Sequence, residues 1–243
     1  MNLNDPNFDD SVITLLRDGE ISLEGRLIDA SNATLFGSIA ASDEEKISLV
    51  YKPIAGERPL WDFPDGNLAS RERAAYLVSV LGGFHCVPPT LLREGPFGLG
   101  AVQLWIDCDP EIDPIEIGQS DHRGIRNLAL FDVIANNTDR KFGHILIDDE
   151  GRIFGCDHGV TFHQDDKLRT VLWQFADEDL TPDEVERITN LREILKAPTA
   201  SELSELLTEV EREALILRIE RLLAAGRFPL PSGEWPAVPW PPV

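Results

Sequence analysis

Four groups of residues carry side chains suited to handling a nucleoside triphosphate, and they follow one another in a workable order. Lys52 closes the alternating run KISLVYK just before Pro53. An ammonium at a strand end is ordinarily just solvated, but there it could also project into a cleft and meet phosphate oxygens. Glu72 follows in Ser70-Arg-Glu-Arg, in the expected first turn of a helix, where an acid already suits the helix dipole. With that helix docked on the sheet, Glu72 could also hold Lys52 by an ion pair. The third group is Asn136-Asn-Thr-Asp-Arg-Lys-Phe-Gly-His144, a polar string between apolar elements. Loops are polar by default, but here Asp139 could take the proton of a substrate hydroxyl while Arg140 or Lys141 offsets charge on a transferred phosphoryl group. The fourth, Gly155-Cys-Asp-His-Gly159, offers Asp157 either to cap a bend or to hold magnesium bridging phosphate oxygens. A hairpin of two short strands would gather Asp139, His144 and Asp157 at one end, and that convergence opposite Lys52 is the central expectation.

The elements that must position these groups can be read from periodicity. Residues 25–29 and 33–40, around the turn Ala30-Ser31-Asn32, and the run 46–52 alternate as strands of a small antiparallel sheet. Residues 68–81 carry apolar side chains at helical spacing and stop at Gly82-Gly83. Strands are expected at 90–93 and 99–106, and the segment 107–121, with six acids and no base, as a solvated linker. A helix from Gly124 to the string at Asn136, strands at 145–147 and 153–155, and helices at 181–195 and 200–225 follow. The proline-rich end from Phe228 reads as a strap whose tryptophans, Trp235 and Trp240, pack on the body. The class is α+β: a β-rich lobe over 1–106 and a mainly helical one over 107–243.

The succession VYKP, RERAAYLVSVLGGFHCVPPTLL, NNTDRKFGHILID and FGCDHG resembles the bilobal, atypical protein-kinase-like fold of phosphatidylinositol 3- and 4-kinases and their bacterial relatives, including the toxin serine kinases. The whole chain is also similar to an actinobacterial phosphatidylinositol-kinase-like family. The resemblance implies ATP with magnesium or manganese. It makes Lys52 the phosphate lysine, Glu72 its helix partner, Asp139 the catalytic aspartate and Asp157 the metal-binding aspartate of a D-F-G element. It also makes Gln103, Leu104 and Trp105, with Ile106, the hinge facing adenine, and sets the turn at Ser31 and Asn32 over the phosphates. Lys141 would assist at the γ position. Two departures stand out: the family's histidine after D-R is Lys141 here, and its metal-binding asparagine is His144. Histidine is a less natural magnesium ligand than an amide or carboxylate oxygen, which points to manganese, to binding through water, or to a one-metal site.

Charge narrows the acceptor. The 243 residues hold 22 lysines and arginines against 43 aspartates and glutamates, a net charge of −21. Such a field repels nucleic acid and anionic bilayers, and disfavours a membrane lipid relative to a small alcohol such as an inositol or to a protein side chain. Cys86, Cys108 and Cys156 are far apart and odd in number, and the acidic N-terminus is no signal peptide, so a soluble protein of the reducing cytoplasm is expected. Two other readings compete. A metal-dependent hydrolase could use His144, Asp157, His158 and His163, but lacks H-E-x-x-H and leaves Lys52 and Glu72 without a role. A pseudokinase would hold nucleotide without transferring phosphate.

Overall fold

The computed structural model describes residues 5–27, 32–42, 45–197 and 201–243. Strands β1 (Ile21–Arg26), β2 (Leu35–Ala40), β3 (Lys46–Pro53), β4 (Thr90–Gly95) and β5 (Gly98–Leu104) form one antiparallel sheet in the order β1-β2-β3-β5-β4. The first strand starts at Ile21, four residues ahead of its expected place, because Ile21 and Leu23 face inward and a register shift between Leu23 and Gly25 absorbs one residue. The last strand is shorter than expected and ends at Leu104.

The sheet is covered on both faces. The acidic N-terminal stretch, where the sequence showed no element, holds helix α1 (Asp10–Asp18), opened by the Asp9 carboxylate accepting from the Ser11 N–H at 2.9 Å. Its Leu16 is fully buried with Ile21, Ile39, Leu49, Tyr51, Leu91 and Val102. Alternation along β3 therefore turns Val50 and Lys52 the other way, together with Phe36 of β2. Helix α2 (Leu68–Leu81) packs against β4 and β5 with the bounds the periodicity predicts. Its first N–H groups are capped twice: Asn67 accepts from Ser70, and both Glu57 oxygens accept from Leu68 and Ala69 at 2.9 and 2.8 Å.

The remaining elements are mainly helical: α3 (Pro114–Gly118), α4 (Arg123–Ala135), the hairpin β6 (Ile145–Ile147) and β7 (Ile153–Gly155), α5 (Pro182–Lys196), α6 (Ser201–Leu206) and α7 (Glu209–Ala225). The acidic stretch is thus not all linker, since Asp113 and Pro114 start a short helix in it. The single helix expected at 200–225 is two, because Thr208 and Glu211 form a capping box that begins α7 afresh, and residue 200 lies outside the described residues. The C-terminal strap is held by its backbone rather than its tryptophans. The Ala237 carbonyl accepts from the Thr170 N–H and the Trp173 indole, the Pro242 carbonyl accepts from Phe142, and Trp240 is 86% exposed. Only Trp235 faces the body, its ring centroid 4.5 Å from the Lys167 ammonium. Among the described residues no helix is long and apolar enough to cross a membrane.

Candidate active site

Lys52 projects from β3 into the space between the sheet, α2 and the β6–β7 hairpin. Its ammonium pairs with Glu72 Oε1 and lies 2.9 Å from Asp157 Oδ1. Glu72 stands in the second turn of α2, not the first, so its place owes nothing to the helix dipole and is set by what it touches. It is almost fully buried, and its second oxygen accepts from the His158 N–H at 3.0 Å. Burial alone would lower the Lys52 pKa, but the Asp157 and Glu72 carboxylates outweigh it and hold the ammonium charged well above its ordinary value. In return, the Lys52 charge holds Asp157 far below the usual carboxylate range against the cost of burial. Asp157 takes a left-handed backbone (φ 61°), a conformation aspartate tolerates better than most residues.

The polar loop is wired from below. Helix α4 ends at Asn136 in a left-handed conformation (φ 52°), and the next residue, Asn137, accepts from the Asp139 N–H at 2.9 Å while donating to Asp132. The Asp139 carboxylate lies in the cleft, 3.4 Å from the Lys141 ammonium. Burial raises its pKa while Lys141 pulls the other way, leaving it raised and hence more basic than a free carboxylate. Arg140 cannot serve the phosphoryl group. It is fully buried, paired through two nitrogens with Asp132 at 2.9 Å, and also donates to the Cys156 carbonyl at 2.9 Å.

His144 closes a 3₁₀ turn, Phe142–His144. Its Nδ1 lies 3.1 Å from the Asp139 carbonyl oxygen, which can only accept, so Nδ1 carries the proton and Nε2 is bare. Burial pushes the imidazole pKa down to about 4, so the ring is neutral at neutral pH. The bare Nε2 faces Asp157 Oδ2 at 3.5 Å. Two acceptors facing each other are unfavourable without a cation between them, so these donor atoms fit a divalent metal. Among the described residues no three His, Cys, Asp or Glu side chains form a metal cage. A cation held by His144 and Asp157 would complete its shell with phosphate and water oxygens.

The cleft has a volume of about 340 Å³, and Asn32, Lys52, Glu72, Asp139, Lys141, His144 and Asp157 all line it. Asn32 is anchored by accepting from the Arg58 N–H at 2.9 Å, and Ser31 lies outside the described residues. Gln103, Leu104 and Trp105 do not line this cleft. Gln103 is buried and donates to the Thr90 hydroxyl, and the Leu104 and Trp105 N–H groups are bonded to the Pro89 and Ser48 carbonyls. Trp105 stacks edge-on against Phe36 with centroids 5.0 Å apart. The hydrolase ligand set does not assemble either: buried His158 meets Arg140 through Nε2, and His163 meets the Asp62 carbonyl. The neighbouring Cys156 thiol is pushed up to about 12 by burial and by Asp157, so it is no nucleophile. Thr138, Leu60, Phe63 and Arg169 also line the cleft without having been singled out in the sequence. For Arg169 the one available signal was a basic pair, with Lys167, in a strongly acidic chain.

No family model matches the chain. It is 38% identical over 262 residues to Protein Rv2133c of Mycobacterium tuberculosis (strain ATCC 25618 / H37Rv), spanning 93% of this chain and 94% of that one. Among solved structures it is similar to the Golgi casein kinase with Mn/ADP bound, at a TM-score of 0.61 and 13% identity over 94% of this chain and 81% of that one. It is similar also to hydra Fam20 with sugar, at a TM-score of 0.54 and 13% identity over 88% and 86%. At such identities the likeness is one of fold, and the fold is the bilobal protein-kinase-like one.

Proposed function

The chain belongs to the same family as Protein Rv2133c of Mycobacterium tuberculosis, and from the cleft it builds we propose that it is an ATP-dependent phosphotransferase acting on a hydroxyl group. The observation that carries this reading is the sharing of one partly buried ammonium, Lys52, between Glu72 of α2 and Asp157 of the loop after β7, with Asp139 and His144 in the same cleft. Lys52 neutralises phosphate oxygens and Glu72 fixes its direction. Asp139, with its raised pKa, takes the proton of the acceptor hydroxyl as that oxygen bonds to the γ-phosphorus. The bond from this phosphorus to the β–γ bridging oxygen breaks, and ADP leaves with the electron pair. Lys141 offsets charge on the transferred group. His144 and Asp157 would hold a divalent cation, which supplies charge neutralisation on the phosphates when bound. The imidazole ligand favours manganese over magnesium.

The acceptor we favour is a small alcohol such as an inositol, or a protein side chain, in the cytoplasm. The phosphatidylinositol-kinase likeness of the motifs fits an alcohol acceptor, but a net charge of −21 disfavours work on an anionic bilayer. The β-rich, nucleotide-binding lobe is taken to end near residue 106.

Thermal unfolding of the full chain with ATP and either Mn²⁺ or Mg²⁺ tests the reading. A nucleotide at about a hundred times its Kd raises Tm by roughly 5–10 °C in a domain of this size. Asp157→Asn is expected to abolish the metal-dependent part of that shift while leaving the ligand-free Tm close to wild type. No shift with any nucleotide at millimolar concentration would overturn the proposal. A shift without transfer in a single-turnover assay with labelled ATP would make the protein a nucleotide-binding module.

A further inference from the structure

The segment at 167–171 runs beside the polar loop as a short rail. The Arg169 N–H donates to the Asn137 carbonyl at 2.9 Å, the Arg140 N–H to the Arg169 carbonyl at 3.1 Å, and the Val171 N–H to the Arg140 carbonyl at 3.1 Å. On its far side the Thr170 N–H donates to Ala237 of the strap at 3.0 Å. The backbone of Arg169 is therefore fixed relative to Asp139 from two directions. Its side chain is half-buried in the cleft wall that Asp139 and Lys141 share, and its charge acts on Asp139.

What sets Arg169 apart is its lack of a partner. The other two fixed cations of the cleft are matched, Lys52 by Glu72 and Asp157 and Lys141 by Asp139. Among the described residues the Arg169 guanidinium makes no ion pair, and its buried Nε meets no acceptor. This is so in a chain with about two acids for every base. A desolvated guanidinium N–H left without an acceptor is unfavourable, and a planar fork of such donors matches the two oxygens of a phosphate or carboxylate. Lys52 approaches from the sheet, where the nucleotide phosphates are placed above, whereas Arg169 stands on the rail beside Asp139, on the acceptor's side.

We propose that Arg169 is a specificity residue that binds an oxyanion carried by the acceptor, so that the substrate class is a small anionic polyol bearing a phosphate or carboxylate near the hydroxyl presented to Asp139. The acceptor assignment rests on the phosphotransferase reading, whereas the oxyanion site itself does not. The test uses inorganic phosphate and formate as separate probes, titrated calorimetrically into the full chain saturated with Mn²⁺ and a non-hydrolysable ATP analogue that fills the γ position. Phosphate or formate is expected to bind the wild type, and the tighter of the two identifies the acceptor's anion. Arg169→Ala should weaken that binding roughly ten-fold or more, and Arg169→Lys should restore part of it. Affinity for the ATP analogue and the ligand-free Tm should be unchanged in both variants, since the guanidinium holds no part of the fold. Failure of both anions to bind the wild type, equal binding by Arg169→Ala, or a parallel loss of analogue affinity would overturn the proposal. If the analogue itself does not bind, the phosphotransferase reading falls. The same titration on the nucleotide-free protein then still decides whether Arg169 holds an oxyanion.

Discussion

Arg140 and Lys141 are adjacent in sequence and alike in charge, yet they belong to opposite kinds of region. The buried Arg140 guanidinium meets an acceptor with each of its nitrogens: two bond Asp132, and further bonds run to the Cys156 and His144 carbonyls and to His158, whose Nδ1 alone in this group is without a partner. A few ångströms away the cleft is incomplete by the same standard. His144 Nε2 and Asp157 Oδ2 face each other as two acceptors, the Arg169 Nε has no acceptor, and Asp139 keeps a raised pKa. Satisfied polar networks hold a fold in one shape, whereas mismatched ones in a concave, reachable place wait for a ligand to complete them. The difference separates the residues of one nine-residue string into those that hold the fold and those open to chemistry.

The contrast can be broken most forcefully from the buried side. Arg140→Ala leaves the Asp132 carboxylate, which is fully buried, without its ion pair, and is expected to cost about 3–5 kcal/mol, read as a steep fall in the chemical-denaturation midpoint. Survival of normal stability in that variant would mean the network is not what fixes the loop. Next in size is Asp139→Asn, which should cut phosphoryl transfer by roughly 10²–10⁴ while nucleotide affinity and Tm stay near wild type. A fall in stability instead would move Asp139 into the structural set. Because burial raises the Asp139 pKa from 3.8, wild-type turnover should be lost on acidification at a higher pH than for a free carboxylate, as the base becomes protonated, and the pH–rate profile checks this. The smallest effect sharpens the comparison from outside both regions. Trp240→Ala removes a ring that is 86% exposed and should change stability by less than about 0.5 kcal/mol by thermal melts.

Much of this could be read before any coordinates. The bounds of α2, β6 and β7 follow from period and punctuation alone, because apolar spacing and the flanking glycines speak for those elements locally. So does the meeting of Lys52 with Glu72 and of His144 with Asp157, since a strand end, a helix and a hairpin leave few ways to arrange them. What escaped depends on neighbours. Helix α1 is short and becomes intelligible only once Leu16 has a sheet to lie on. Charge and position alone leave Arg140 and Lys141 equivalent, because nothing in D-R-K says which cation meets Asp132 eight positions upstream. The basic pair Lys167 and Arg169 does not mark Arg169 out, because its meaning is a missing partner, a property that no single chain segment carries. Trp235 and Trp240 looked equivalent, and only the carbonyls of Ala237 and Pro242 reveal that the strap is fastened by its backbone.

Glu72 has one oxygen on the β3 ammonium and the other on the backbone of the loop after β7. With the Lys52–Asp157 and Arg71–Glu211 pairs, that carboxylate ties the sheet and α2 to the helical half of the molecule. A Glu72→Gln exchange keeps the shape of this tie and removes its charge, so it should loosen the seam between strand and loop without disturbing the helix that carries it.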